Sequence, residues 1–154
     1  MKKLVCMMTI VALLTAFHVH SVEAFDGAEV FDIQKGEVVA TIKNSASLQS
    51  EVAKWLSCIS GPVESLHIEP DRGLGVKIQL TPPLKVEMED IKGTVMEVVL
   101  FLSPEETYYP TLLMITKENG TFAVHLTCNL RGFLKANHLY KPELNLKIPS
   151  VAER

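Results

Sequence analysis

An α+β fold, with one main helix packed on a curled antiparallel β-sheet, is the architecture this sequence predicts, and three observations predict it. Residues 44–61, NSASLQSEVAKWLSCISG, carry apolar side chains at three- and four-residue steps, the period of one helical face. Residues 74–88 alternate apolar and polar, and residues 94–102 run almost continuously apolar, as half-buried and fully buried strands do. Residues 111–128 are centred on Asn119-Gly120, two residues that accept positive φ and close a tight hairpin.

Ahead of these elements, Lys2 and Lys3 precede an apolar run over residues 4–17, and small and polar residues then lead to Val22-Glu23-Ala24. Charged, hydrophobic and cleavage regions in that order predict a secretory signal cut after Ala24. The run is shorter than the roughly 20 residues that a membrane span needs. Cys6 lies inside it, with no lipoprotein site following. The chain therefore divides into a signal peptide, 1–24, a single α+β domain, 25–140, and an extended C-terminal tail, 141–154. Cleavage leaves 130 of the 154 residues, enough for one domain with a core. The net charge of −3 becomes −4 once Lys2, Lys3 and Glu23 are gone. A mildly acidic surface of interspersed charges argues against nucleic acid or an anionic membrane as partner.

In chain order, residues 29–42 predict a hairpin turning at Lys35-Gly36. The helix follows, with Leu48, Val52, Trp55, Leu56 and Ile59 on its apolar side and Gln49, Glu51 and Lys54 opposite. Asn44, Ser45 and Ser47 are its candidate caps, and Gly61-Pro62 is its expected stop. Residues 63–68 predict a short strand. Pro82-Pro83 is expected to interrupt the alternating stretch, because proline brings no N–H to a ladder. Residues 94–102 belong in the middle of the sheet. Residues 130–139 predict a short helix, and the proline-bearing tail an extended run.

Only Cys58 and Cys128 remain after cleavage. An even pair in an exported chain predicts a disulfide, and both cysteines fall on or beside the apolar faces of their elements. Tyr108 and Tyr109, beside Pro110 in a loop, are the candidate binding patch for a peptide or glycan. His67, Glu69 and Asp71 resemble a metal cluster in residue type but supply one histidine only, so a solvated face is the simpler reading. His125 stands on the polar side of its strand with no nucleophile motif to serve. The spacing of the glutamates picks out no hydrolase pair. Asn119-Gly120-Thr121 is a glycosylation sequon that a tight turn explains better. No residue pattern calls for a metal, a cofactor or a catalytic role.

The order hairpin, helix, meander is similar to the cystatin-like and peptidase-propeptide (PepSY-type) layouts. The cystatin Gln-x-Val-x-Gly loop is absent: residues 34–38 read QKGEV. Over residues 30–135, VFDIQKGEVVATI, the WLSCISG helix end and VKIQLTPPLKV resemble small uncharacterised secreted proteins of Bacillus-type bacteria. That resemblance implies an extracytoplasmic setting and no particular activity. The sequence thus predicts a non-enzymatic secreted or cell-envelope protein that binds or modulates another extracytoplasmic protein. A peptidase inhibitor or propeptide-like module is the alternative, and an unrecognised hydrolase the second alternative.

Overall fold

The computed structural model describes residues 25–65 and 67–149, so the signal-like segment 1–24 lies outside the described residues. The first hairpin forms where its pattern places it. Strands β1 (Gly27–Asp32) and β2 (Glu37–Lys43) flank a turn in which Gly36 takes φ +67. Helix α1 (Ala46–Ser57) starts at Ser45, whose hydroxyl accepts from the Leu48 amide at 3.1 Å. Its buried side is Leu48, Val52 and Trp55. Trp55 is 0% exposed, its Nε1 donates to Glu51 Oε1 at 3.1 Å, and its ring meets the Phe133 ring edge-on at 4.9 Å.

Five further strands follow: β3 (Ile59–Pro62), β4 (Leu74–Glu87), β5 (Lys92–Leu102), β6 (Thr111–Thr116) and β7 (Thr121–Leu126). A one-and-a-half-turn helix, α2 (Arg131–Ala136), lies inside the expected 130–139 segment. The seven strands form one antiparallel sheet in the order β2-β1-β4-β5-β6-β7-β3. The result is helix on sheet as predicted, but dominated by the sheet.

Two boundaries differ from the sequence reading. Helix α1 ends at Ser57, not at the Gly61-Pro62 stop, and the described residues of the expected strand 63–68 form none; β3 occupies 59–62 instead. The cause lies beyond local preference. Cys58 stands at disulfide distance from Cys128, with Cα atoms 5.7 Å apart, just past the end of β7. The chain leaving α1 is therefore already beside β7 and pairs at once, Ile59 with Leu126, Gly61 with His125 and Pro62 with Val124. The Thr127 amide seals the junction on the Cys58 carbonyl at 2.9 Å.

At Pro82-Pro83 the ladder breaks as expected, within a strand β4 that runs on past it. Pairing with β5 passes from Gln79↔Glu97 to Leu84↔Val95, so residues 80–83 loop out opposite Met96 alone. Gln49 of α1 satisfies the backbone thus exposed. Its Nε2 donates to the Gln79 carbonyl at 3.0 Å and its Oε1 accepts from the Thr81 amide at 3.1 Å, which makes the side-chain amide a stand-in for the missing strand partner. Pairing resumes with Val86 buried again.

Side chains alternate between the two faces. The cross-strand row Ala40–Val30–Val76–Leu100–Leu112–Val124 makes the core, covered by α1 and by Phe133 and Leu134 of α2. Burial at about 25 cal/mol per Å² makes this layer the main source of stability. After Tyr140 the chain has no regular structure, yet Leu144 and Asn145 are buried. Asn145 Nδ2 lies within hydrogen-bonding distance of the carbonyls of Glu105, Glu106 and Tyr108, at 3.1, 2.9 and 3.0 Å, which ties the tail to the loop between β5 and β6.

Candidate functional site

The face of the sheet opposite α1 carries a second row, Val38–Phe31–Gly75–Phe101–Thr111–His125–Gly61, which crosses all seven strands. At its ends Val38 is exposed and Gly61 half-buried. Its middle is filled by the Phe101 ring, 3.5 Å from where a Cβ on Gly75 would stand.

At the β7 end, His125, Tyr109, Ser60, Pro62 and Glu64 line a cavity of about 240 Å³. A bulge in β3 between Ile59 and Gly61 turns Ser60 toward it, as bulges re-aim side chains. Tyr109 meets the His125 ring edge-on at 6.0 Å. Burial lowers the His125 pKa from its ordinary 6.5, and a hydrogen bond to the Pro110 carbonyl only partly opposes the shift. Among the described residues, His125 Nδ1 is the buried side-chain atom left without a hydrogen-bond partner. Ser, His and Glu around one cavity suggest hydrolysis by type, and the Ser60 hydroxyl donates to the His125 main-chain carbonyl at 3.2 Å.

At the other end, β2 is the edge strand. Its register on β1 slips between Val38 and Ala40, so Val39 is an extra residue in the ladder. Val38 and Val39 are each 46% exposed, side by side next to the half-buried Phe31. Two adjacent valines left in solvent on an unpaired edge are costly unless something covers them.

Of the residues singled out from sequence, Cys58 and Cys128 are brought together. Tyr108 and Tyr109 diverge. The Tyr108 hydroxyl donates to the Ile68 carbonyl, and burial, reinforced by Glu69 and Glu105, pushes its pKa up to about 12. Tyr109 turns to His125, so the pair is not one exposed patch. His67, Glu69 and Asp71 are exposed in the loop before β4, and among the described residues no three His, Cys, Asp or Glu gather as metal ligands. Asn119 takes φ +62 in the hairpin turn, with the Thr116 amide bonded to the Gly120 carbonyl at 2.9 Å. Ser60, Pro62 and Glu64 carry no local signal of a site; only the β3–β7 pairing brings them to His125. Val38 and Val39 fall within the expected hairpin of residues 29–42, but their place on a sheet edge carries no local signal.

Among the described residues no helix is long and apolar enough to cross a membrane. No protein-family model, curated protein or solved structure matches this chain.

Proposed function

We propose that the chain is a non-enzymatic protein, secreted or held in the cell envelope, that binds an extracytoplasmic protein partner along the β2 edge. The exposure of Val38 and Val39 on that edge carries the reading. An edge strand offers unpaired N–H and C=O groups for strand addition, and flanking apolar side chains supply the specificity. The disulfide-distance pair Cys58 and Cys128 fits an oxidising compartment, as does the signal-like segment 1–24. The resemblance to secreted Bacillus-type proteins points to a bacterial setting. In this reading the cysteines form a stable bridge, and residues 25–154 are the working protein.

The test is photo-crosslinking in the native host from a probe at Thr41, on the same strand. Cross-links to one envelope protein that vanish on Val38→Lys/Val39→Lys, with Trp55 fluorescence unchanged, support the reading. Cross-links that persist in the double variant, or their absence in the parent, sink it.

The same edge supports a second reading as a peptidase-inhibitor or propeptide-like module, in keeping with the helix-on-sheet layout. Dose-dependent inhibition of an extracellular protease that Val38→Lys/Val39→Lys abolishes would favour it.

A further inference from the structure

The turn between β6 and β7 brings together a reactive side chain and the group that can attack it. Asn119 is followed by Gly120, and no other asparagine of the chain precedes a glycine. A cyclic imide closes when the Gly120 amide nitrogen attacks the Asn119 carboxamide carbon, and glycine has no side chain to obstruct that approach. Asn119 is exposed and takes φ +62 in the turn. The fold restrains the reaction at the nucleophile. The Gly120 amide donates to the Thr116 hydroxyl oxygen at 3.0 Å, and the Phe122 ring lies 2.9 Å from where a Cβ on Gly120 would stand. The Thr116 hydroxyl also lies 3.2 Å from the Gly120 carbonyl, so one buried side chain holds both polar groups of Gly120. The amide nitrogen reaches the carboxamide carbon only when this clasp opens. The turn is also tied to β5: Glu118 accepts from the Thr94 amide at 2.9 Å, and the Lys117 amide donates to the Thr94 carbonyl at 2.9 Å.

We propose that Asn119 is a spontaneous modification site of the folded protein, deamidating through Gly120 at a rate that the Thr116 hydroxyl restrains. The inference is independent of the edge-binding reading. The Gly120 nitrogen bonds to Asn119 Cγ, and the carboxamide nitrogen departs as ammonia with the proton that Gly120 gives up. Water then opens the imide at either carbonyl, leaving aspartate or isoaspartate, with no oxidant, reductant or cofactor consumed. Both products place a new negative charge next to Glu118. Isoaspartate also routes the main chain through Cβ, which lengthens the turn, breaks the Thr116–Gly120 contacts and loosens β7 from β6.

Ageing oxidised residues 25–154 at neutral pH, folded and in urea, tests it by mass spectrometry with chromatographic separation of the isoaspartyl form. Trypsin releases residues 118–131, which contain Asn119 and also Asn129, an internal control because the bulkier Leu130 follows it. In the folded protein Asn119 is expected to convert well ahead of Asn129, and more slowly than in urea. Thr116→Val keeps the side-chain shape without the hydroxyl and speeds conversion about five- to tenfold, while Thr116→Ser stays within about twofold of the parent. Trp55 fluorescence confirms that each variant is folded. An Asn119 that stays intact in the folded protein while it converts in urea overturns the proposal, and so does a folded Thr116→Val variant that matches the parent. Hydrogen exchange of the Gly120 amide in the parent checks the restraint without any variant: protection supports it, and exchange at the rate of an unfolded chain refutes it.

Discussion

Trp55 shows how one side chain serves two layers. Its ring fills the space between α1, the sheet and Phe133, while its N–H is answered by Glu51 one turn earlier. Trp55→Ala removes the largest buried side chain and is expected to cost about 3–5 kcal/mol, read from urea unfolding. His125 has a different signature. Because burial holds its folded pKa below 6.5, the unfolded chain takes up the proton first as pH falls. The neutral ring's contribution is thus complete above the unfolded value and is lost as pH drops from about 6.5 through the lower folded value. The urea midpoint should fall over that window, and His125→Gln should remove this part of the fall; equal slopes for parent and variant would refute the assignment. Single residues were unevenly legible. Trp55 as core and Ser45 as a cap follow from local spacing. Gln49 was placed on the wet side of the helix by the same spacing, yet it closes a gap in the sheet, because only the folded chain reveals the unpaired carbonyl and amide at Gln79 and Thr81.

Elements held together by neighbours in sequence were the legible ones. Both hairpins turn at the residues that accept positive φ, Gly36 and Asn119. The register of the β6–β7 hairpin follows from the turn and from the apolar alternation, whereas that of β1–β2 slips at Val39. Elements made by distant pairing were not. Strand β3 contains Gly61 and Pro62, a poor strand by propensity and a good helix stop, and it exists because β7 and Cys128 are beside it. β1 lies between β2 and β4, a placement that no local pattern announces. With Cys58 and Cys128 at disulfide distance, β3 is expected to depend on the link between them. Opening the 70-residue separation between Cys58 and Cys128 by Cys58→Ser/Cys128→Ser is expected to cost ~4 kcal/mol. Hydrogen exchange at the Val63 and Thr127 amides should quicken more than exchange in β4 and β5. Uniform quickening across the sheet would show that the clamp supports the whole fold equally.

For the whole molecule, one prediction reads compartment and chemistry together. The protein taken from its host's culture fluid or envelope should have the mass of residues 25–154 less two hydrogens. A reduced, full-length mass would remove the secretory premise and leave Cys58 and Cys128 as core thiols. Helix α1 joins strands at the two opposite edges of the sheet. Six inter-strand gaps at about 4.8 Å make that sheet roughly 29 Å wide, while twelve helical residues span about 18 Å. The far edge is thus fixed early in the chain and completed late. As synthesis proceeds from the N-terminus, β1, β2 and α1 emerge first, but β3 has nothing to pair with until β7 has followed, more than fifty residues later in the chain. A nascent chain halted before Thr121 therefore carries β1, β2, α1 and β4–β6, but lacks the partners of β3 and Cys58. Closure of this fold waits on β7, the last strand of the sheet to be made, and the chain leaving α1 is fixed only then.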